Sequence, residues 1–101
     1  LKQLEQVLED RKSAKADESY VSSLYAKGLD EILKKIGEES AEVIMAAKDG
    51  EQDKIIYEVA DLWFHTLVLL RHKDIEVDKI QDELSSRFGL SGLTEKANRT
   101  N

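Results

Sequence analysis

DEILKKIGEESAEVIMAAKD (residues 30–49), a glycine at position 50, then QDKIIYEVADLWFHTLVLLRH (residues 52–72) is the stretch that decides the fold. In its first part Ile32, Leu33, Ile36, Val43, Ile44 and Ala47 recur at helical spacing and form one apolar stripe. In its second part Ile55, Ile56, Val59, Leu62, Trp63, Leu67 and Leu70 do the same. Gly50 supplies the turn between them. Two long antiparallel helices follow, and residues near the middle of one face residues near the middle of the other. Around Leu67, Val68, Leu69 and Leu70 the second helix is apolar on every side, which calls for burial all round. A few short helices of one chain are a meagre source of such cover, so the pattern predicts a bundle completed by a second copy.

Outward from this hairpin the chain stays helical. Residues 1–11 carry Leu4, Val7 and Leu8 at helical spacing, and residues 12–18 are small and polar, as in a loop. Ser19 is placed to cap a short helix through Val21, Leu24 and Tyr25, which Gly28 ends. A last helix spans residues 77–88 up to Gly89, and residues 90–101 form a polar, loose tail apart from Leu90 and Leu93. The reading is all-α: a helical bundle of four to five helices with two long antiparallel central ones, in a single domain of residues 1–101, completed by homodimerisation.

Composition narrows the function. Apolar residues are 41% of the chain and charged residues 36%, enough for amphipathic helices but thin for a self-sufficient core. No proline and only five glycines interrupt the helical patterns. The absence of cysteine excludes disulfides, thiolate metal sites and cysteine nucleophiles. No apolar run approaches the roughly 18–20 residues of a membrane span, and no signal-peptide pattern opens the chain, so a cytoplasmic protein is expected. A net charge of −6 with no basic stripe argues against nucleic acid as partner. Any polyanion bound here needs a metal ion or a local group of lysines to offset the repulsion.

The location of certain carboxylates is more informative than their number. Glu38, Glu39 and Glu42 project from neighbouring points of the first long helix, and Glu58 and Asp61 stand i,i+3 on the second. Their surroundings are apolar: Ile55 and Leu62 flank Glu58, Leu62 and Trp63 follow Asp61, and Ala41 and Val43 bracket Glu42. Partly buried like charges cost several kcal/mol unless they are protonated, paired with cations or coordinated to metal. Two ligand pairs on facing helices can converge on an ion, and an all-oxygen set suits Mg²⁺ or Mn²⁺ rather than zinc. Such an ion bridges and neutralises phosphate groups, which suits phosphoanhydride hydrolysis. The rival reading is a polar network satisfied by Lys35, Lys48 or Arg71.

The segment from Lys35 through Gly37, Glu38, Glu39 and Ser40 to Glu42, followed by Glu58, Val59, Ala60, Asp61, Leu62, Trp63, Phe64 and His65, resembles the phosphoribosyl-ATP pyrophosphohydrolase family. That family belongs to the all-α NTP pyrophosphohydrolase superfamily, whose shared pattern is Glu-Glu-x-x-Glu followed by Glu-x-x-Asp. Three further blocks resemble the histidine-biosynthesis branch: Ser19-Tyr20-Val21, Lys27-Gly28-Leu29-Asp30, and Arg87-Phe88-Gly89-Leu90-Ser91-Gly92-Leu93 with Glu95-Lys96. The resemblance covers essentially the whole chain. It implies hydrolysis of 1-(5-phosphoribosyl)-ATP to 1-(5-phosphoribosyl)-AMP and pyrophosphate, with Mg²⁺ as cofactor and a helical homodimer as the working form. Glu39, Glu42, Glu58 and Asp61 match the metal-binding carboxylates. Glu38 and Glu39 are implied as catalytic, Glu38 either in the metal shell or in positioning the attacking water. In many organisms the domain is fused to a cyclohydrolase, whose expected metal-binding cysteines do not occur in this sequence.

Other residues carry two readings each. Lys35 can meet a phosphate oxygen or pair with Glu39 at i,i+4. Lys27, Lys48, Lys54 and Arg11 are candidate contacts for the anionic nucleotide, against the alternative of solvated surface cations, as is Lys34. Ser19 and Tyr20 are explained by a helix cap and a packing ring. Gly37 costs about 1 kcal/mol relative to alanine in mid-helix, which points to close approach of a helix or ligand. His65 is either a satisfied core histidine or a neighbour of the metal, and Trp63 and Phe64 either core or a stacking surface for adenine. Two alternatives to the histidine-pathway enzyme stay open at this point: a house-cleaning (d)NTP pyrophosphohydrolase of the same superfamily, and a non-catalytic dimerisation module whose acids are structural.

Overall fold

A computed structural model describes residues 1–88, all of whose regular elements are helical. The expected turn at Gly89 and the tail beyond it lie outside the described residues. Helix α1 spans Lys2–Asp10 and runs into a 3₁₀ turn, Arg11–Ser13, where the sequence suggested plain loop. Helices α2 (Tyr20–Lys27), α3 (Leu29–Asp49), α4 (Gln52–His72) and α5 (Val77–Phe88) follow.

The boundaries have local causes. Ser19 is extended, and its Oγ accepts the Ser22 backbone N–H at 3.0 Å, satisfying a donor that the first turn of α2 cannot pair itself. Gly28, with φ of 97°, both ends α2 and starts α3 in a conformation that a Cβ disfavours. Gly50, at φ 82°, closes α3 in the left-handed region, its N–H returning to the Ala46 carbonyl at 3.0 Å. The chain then reverses, and α3 and α4 pack along their length as the expected antiparallel hairpin.

The core lies at one end of that hairpin. Leu8 of α1, Val21 and Leu24 of α2, Ile32 of α3, Val77 of α5 and Leu67, Val68 and Leu70 of α4 form one buried cluster. The all-round apolar run of α4 is therefore covered within the chain: Val68 is 0% exposed, Leu67 6% and Leu70 9%. This corrects the expectation that these residues need a second copy, because α1, α2 and the start of α5 wrap the C-terminal half of α4. Bare apolar side chains lie elsewhere, among them Leu33, Ile44, Met45, Ile56 and Trp63. Trp63 is 59% exposed and is not core, whereas Phe64 packs against the core.

Helix α1 is too short to hold itself in place, and polar contacts clamp it. The Arg71 guanidinium reaches Glu9 at 2.9 Å and Glu5 at 3.4 Å, and also donates to the Ile75 carbonyl. Glu5 accepts the Val77 N–H at 2.7 Å, capping α5 from another helix. That N–H holds the Glu5 carboxyl below its ordinary range, with Lys2 and Arg71 adding to the effect. Lys12 pairs with Asp74 at 2.7 Å. Arg71 is thus spent on the α1 clamp rather than on the acidic cluster of the hairpin.

Candidate functional site

Glu39 and Asp61 stand the same number of residues before and after Gly50, so an antiparallel hairpin sets them opposite each other, about 16 Å from the turn. Glu58, one turn from Asp61, comes to the same place. Glu39 is half-buried at this contact, and its Oε2 is wholly buried with no hydrogen-bond partner. Its carboxyl is pushed up to about 7, first by desolvation and then by Asp61 and Glu58. Among the described residues no lysine or arginine forms an ion pair with Glu39, Glu42, Glu58 or Asp61. A buried oxygen without a donor, facing two further carboxylates, is the environment that a divalent cation satisfies. Glu39 and Asp61, with Glu58 acting on Glu39 from beside them, therefore offer oxygen donors of the kind a hard cation takes. The rival network is absent here: Arg71 is engaged elsewhere, and Lys35 pairs with Glu38 at 3.7 Å instead of with Glu39.

The remaining sequence candidates spread around this point. Glu42 lies one turn along α3 and is exposed, outside the group that acts on Glu39. Glu38 is exposed beside Lys35 on the flank of α3. Lys54 stands one turn from Glu58 but is tied to Asp49 at 3.3 Å. Lys48 is exposed about 13 Å along α3 from Glu39. Arg11 is exposed beside the first turn of α2, where its carbonyl accepts Ser22 Oγ at 3.2 Å, and Lys27 is exposed at that helix's far end. Gly37 needs no close approach: a Cβ there would meet nothing within 4 Å, because the residue points away from α4.

Sequence reasoning missed the link between Tyr20 and His65. The tyrosine hydroxyl lies 2.7 Å from His65 Nε2, and His65 Nδ1 lies 2.8 Å from the Asp61 carbonyl. His65 is 3% exposed, a satisfied core histidine that nonetheless borders the carboxylates. One of its ring nitrogens and oxygens of Glu39 and Asp61 all lie within 4.8 Å of one another. Periodicity alone marks Asp61 and His65 as i,i+4 neighbours; that Tyr20 reaches them depends on how α2 docks. An apolar groove lies elsewhere, a cleft of about 450 Å³ between α4 and α5 lined by Leu62, Trp63, Leu67, Ile80 and Leu84. Trp63 is two residues past Asp61 and so on the opposite side of α4, which removes this groove from the phosphate chemistry.

Fold and site define an all-α protein that gathers carboxylates between two antiparallel helices, a setting for divalent-cation and phosphate chemistry. Residues 1–88 match the phosphoribosyl-ATP pyrophosphohydrolase family, and the chain belongs to that family. It is 80% identical over 98 residues to a phosphoribosyl-ATP pyrophosphatase of Vesicomyosocius okutanii, covering 97% of this chain and 93% of that protein. It is 81% identical over the same length to the enzyme so named from Ruthia magnifica, with the same coverage. The similarly named protein of Hydrogenovibrio crunogenus is 57% identical over 104 residues, covering 99% of this chain and 92% of its own length.

Proposed function

We propose that this chain hydrolyses 1-(5-phosphoribosyl)-ATP to 1-(5-phosphoribosyl)-AMP and pyrophosphate, the second step of L-histidine biosynthesis, in the cytoplasm. The observation that carries this reading is the Glu39 carboxylate sunk against Asp61 and Glu58, in a chain 80% identical to a phosphoribosyl-ATP pyrophosphatase along nearly all its length. Water attacks phosphorus, a new P–O bond forms, the bond between the first and second phosphates of the triphosphate breaks, and pyrophosphate leaves. No side-chain nucleophile is required.

Glu39, Glu58 and Asp61, with Glu42 one turn along α3, would hold Mg²⁺, or Mn²⁺ in its place. When bound, the ion neutralises phosphate charge and lowers the pKa of a coordinated water. Glu38 sits at the exposed flank of this group, where its carboxylate positions the attacking water. Lys35, 3.7 Å from Glu38, meets the phosphates from the same flank. Arg11, Lys27, Lys48 and Lys54 are the cations that draw the anionic nucleotide toward an otherwise acidic protein. Homodimerisation is part of the same reading, supported by the bare apolar surface at Leu33, Ile44, Met45, Ile56 and Trp63.

A substrate comparison tests the assignment. With Mg²⁺ the purified chain should release pyrophosphate from phosphoribosyl-ATP and turn over ordinary NTPs and dNTPs poorly. The reverse preference overturns the substrate and favours a house-cleaning enzyme.

A further inference from the structure

His65 is the one imidazole at the acidic cluster among the described residues, within 4.8 Å of carboxylate oxygens of Glu39 and Asp61. An imidazole beside carboxylates normally widens a site's metal range, because nitrogen ligands favour Co²⁺, Ni²⁺ and Zn²⁺ over Mg²⁺. Both ring nitrogens are already engaged. A backbone carbonyl can only accept, so Nδ1, at 2.8 Å from the Asp61 oxygen, carries the ring proton. The neutral ring then has its lone pair on Nε2, and the Tyr20 hydroxyl donates to it at 2.7 Å.

The arrangement is held on both sides. Tyr20 meets the imidazole edge-on at 5.7 Å between ring centroids, and Phe64 does so at 5.4 Å. Tyr20 is the first residue of α2, directly after the capping Ser19, so the cap fixes where the hydroxyl comes to rest. The hydroxyl thus bonds to the very ring that borders the Glu39 and Asp61 carboxylates.

We propose that Tyr20 is a metal-specificity determinant: by occupying the Nε2 lone pair it withholds His65 from the ion and leaves an all-oxygen site that favours Mg²⁺. The inference rests on the reading that Glu39, Glu58 and Asp61 hold a divalent cation. It gives Tyr20 a role through His65 and requires no contact with substrate. Freed of its partner, Nε2 would add one borderline-soft ligand, which strengthens Co²⁺ and Ni²⁺ binding and barely alters Mg²⁺ binding.

The test is Co²⁺ binding to the full chain, followed by visible absorption and by competition with Mg²⁺. Tyr20→Phe keeps the ring and removes only the hydroxyl. It should tighten Co²⁺ by about tenfold or more, the scale on which partners of metal ligands act. The band should become stronger and shifted, as nitrogen ligation requires, while Mg²⁺ affinity stays within about twofold. Adding His65→Asn to Tyr20→Phe should return Co²⁺ affinity and spectrum to wild type. The asparagine amide can keep the Asp61 carbonyl bond while offering no ring lone pair. Unchanged Co²⁺ affinity and spectrum in Tyr20→Phe, or a gain that survives in the double variant, overturns the proposal. His65→Asn alone needs no loss of the tyrosine and should leave wild-type Co²⁺ binding as it was; weaker binding shows the histidine already ligates and also overturns it. Failure of the underlying metal reading looks different: wild type would bind neither ion, or Glu39→Gln would bind both as wild type does.

Discussion

Replacing Glu39 by glutamine should make the metal-free protein more stable at alkaline pH while abolishing its response to Mg²⁺. Desolvation, Asp61 and Glu58 raise the folded-state pKa of Glu39 from its ordinary 4.5 to about 7. A group raised on folding contributes its stability fully below its unfolded value and loses it as pH climbs through the folded one. Metal-free wild type should therefore lose stability between about pH 4.5 and pH 7. The displacement corresponds to at most about 3.4 kcal/mol, at about 1.36 kcal/mol per pH unit. Water screens a partly exposed cluster, so about 1–2 kcal/mol is the expected size. Glutamine has the same shape and no charge to desolvate. Compared by thermal melts at one protein concentration in EDTA, the two proteins should melt together near pH 5. At pH 8 Glu39→Gln should melt about 5–10 °C higher. Saturating Mg²⁺, at about 100 times its Kd, should then stabilise wild type by about 2.7 kcal/mol and leave the variant unmoved. A melting difference independent of pH, or a variant less stable at pH 8, refutes the electrostatic reasoning.

Asp61→Asn should abolish pyrophosphate release by a well-folded chain; turnover retained in both this variant and Glu39→Gln would count decisively against the metal assignment. Arg71→Ala strands Glu5 and Glu9 and frees the α1 clamp, so it should cost about 3 kcal/mol in urea unfolding. A loss below about 1 kcal/mol would mean that packing of Leu4 and Leu8 alone holds α1. Ser19→Ala removes the α2 cap and should cost about 1 kcal/mol by the same assay, with no change signalling that the helix start is fixed by tertiary contacts instead. In the proposed homodimer, Ile44→Glu or Ile56→Glu places charge among bare apolar residues and should shift sedimentation from dimer to monomer, and a wild-type monomer would refute the dimer itself. An unchanged dimer would put the contact elsewhere on the chain.

Much of the fold was legible from residue order because its causes are local. The period of the apolar stripes, the Ser19 cap and the glycines at 28 and 50 act through neighbours within a turn, and the structure has helices where they indicate. The equal spacing of Glu39 and Asp61 about Gly50 likewise brings acids face to face in any antiparallel hairpin. Tertiary packing decided the rest. Docking of α1, α2 and α5 against α4 buries Leu67, Val68 and Leu70 and leaves Trp63 and Ile44 bare, although periodicity treats them alike. Helix rotation sinks Glu39 and leaves Glu42 in water, and that burial beside Asp61 and Glu58 raises the Glu39 carboxyl. The Tyr20–His65 hydrogen bond joins residues 45 apart through the angle at which α2 meets the hairpin. Periodicity fixes which residues share a face; only the mutual burial of faces fixes what each one touches.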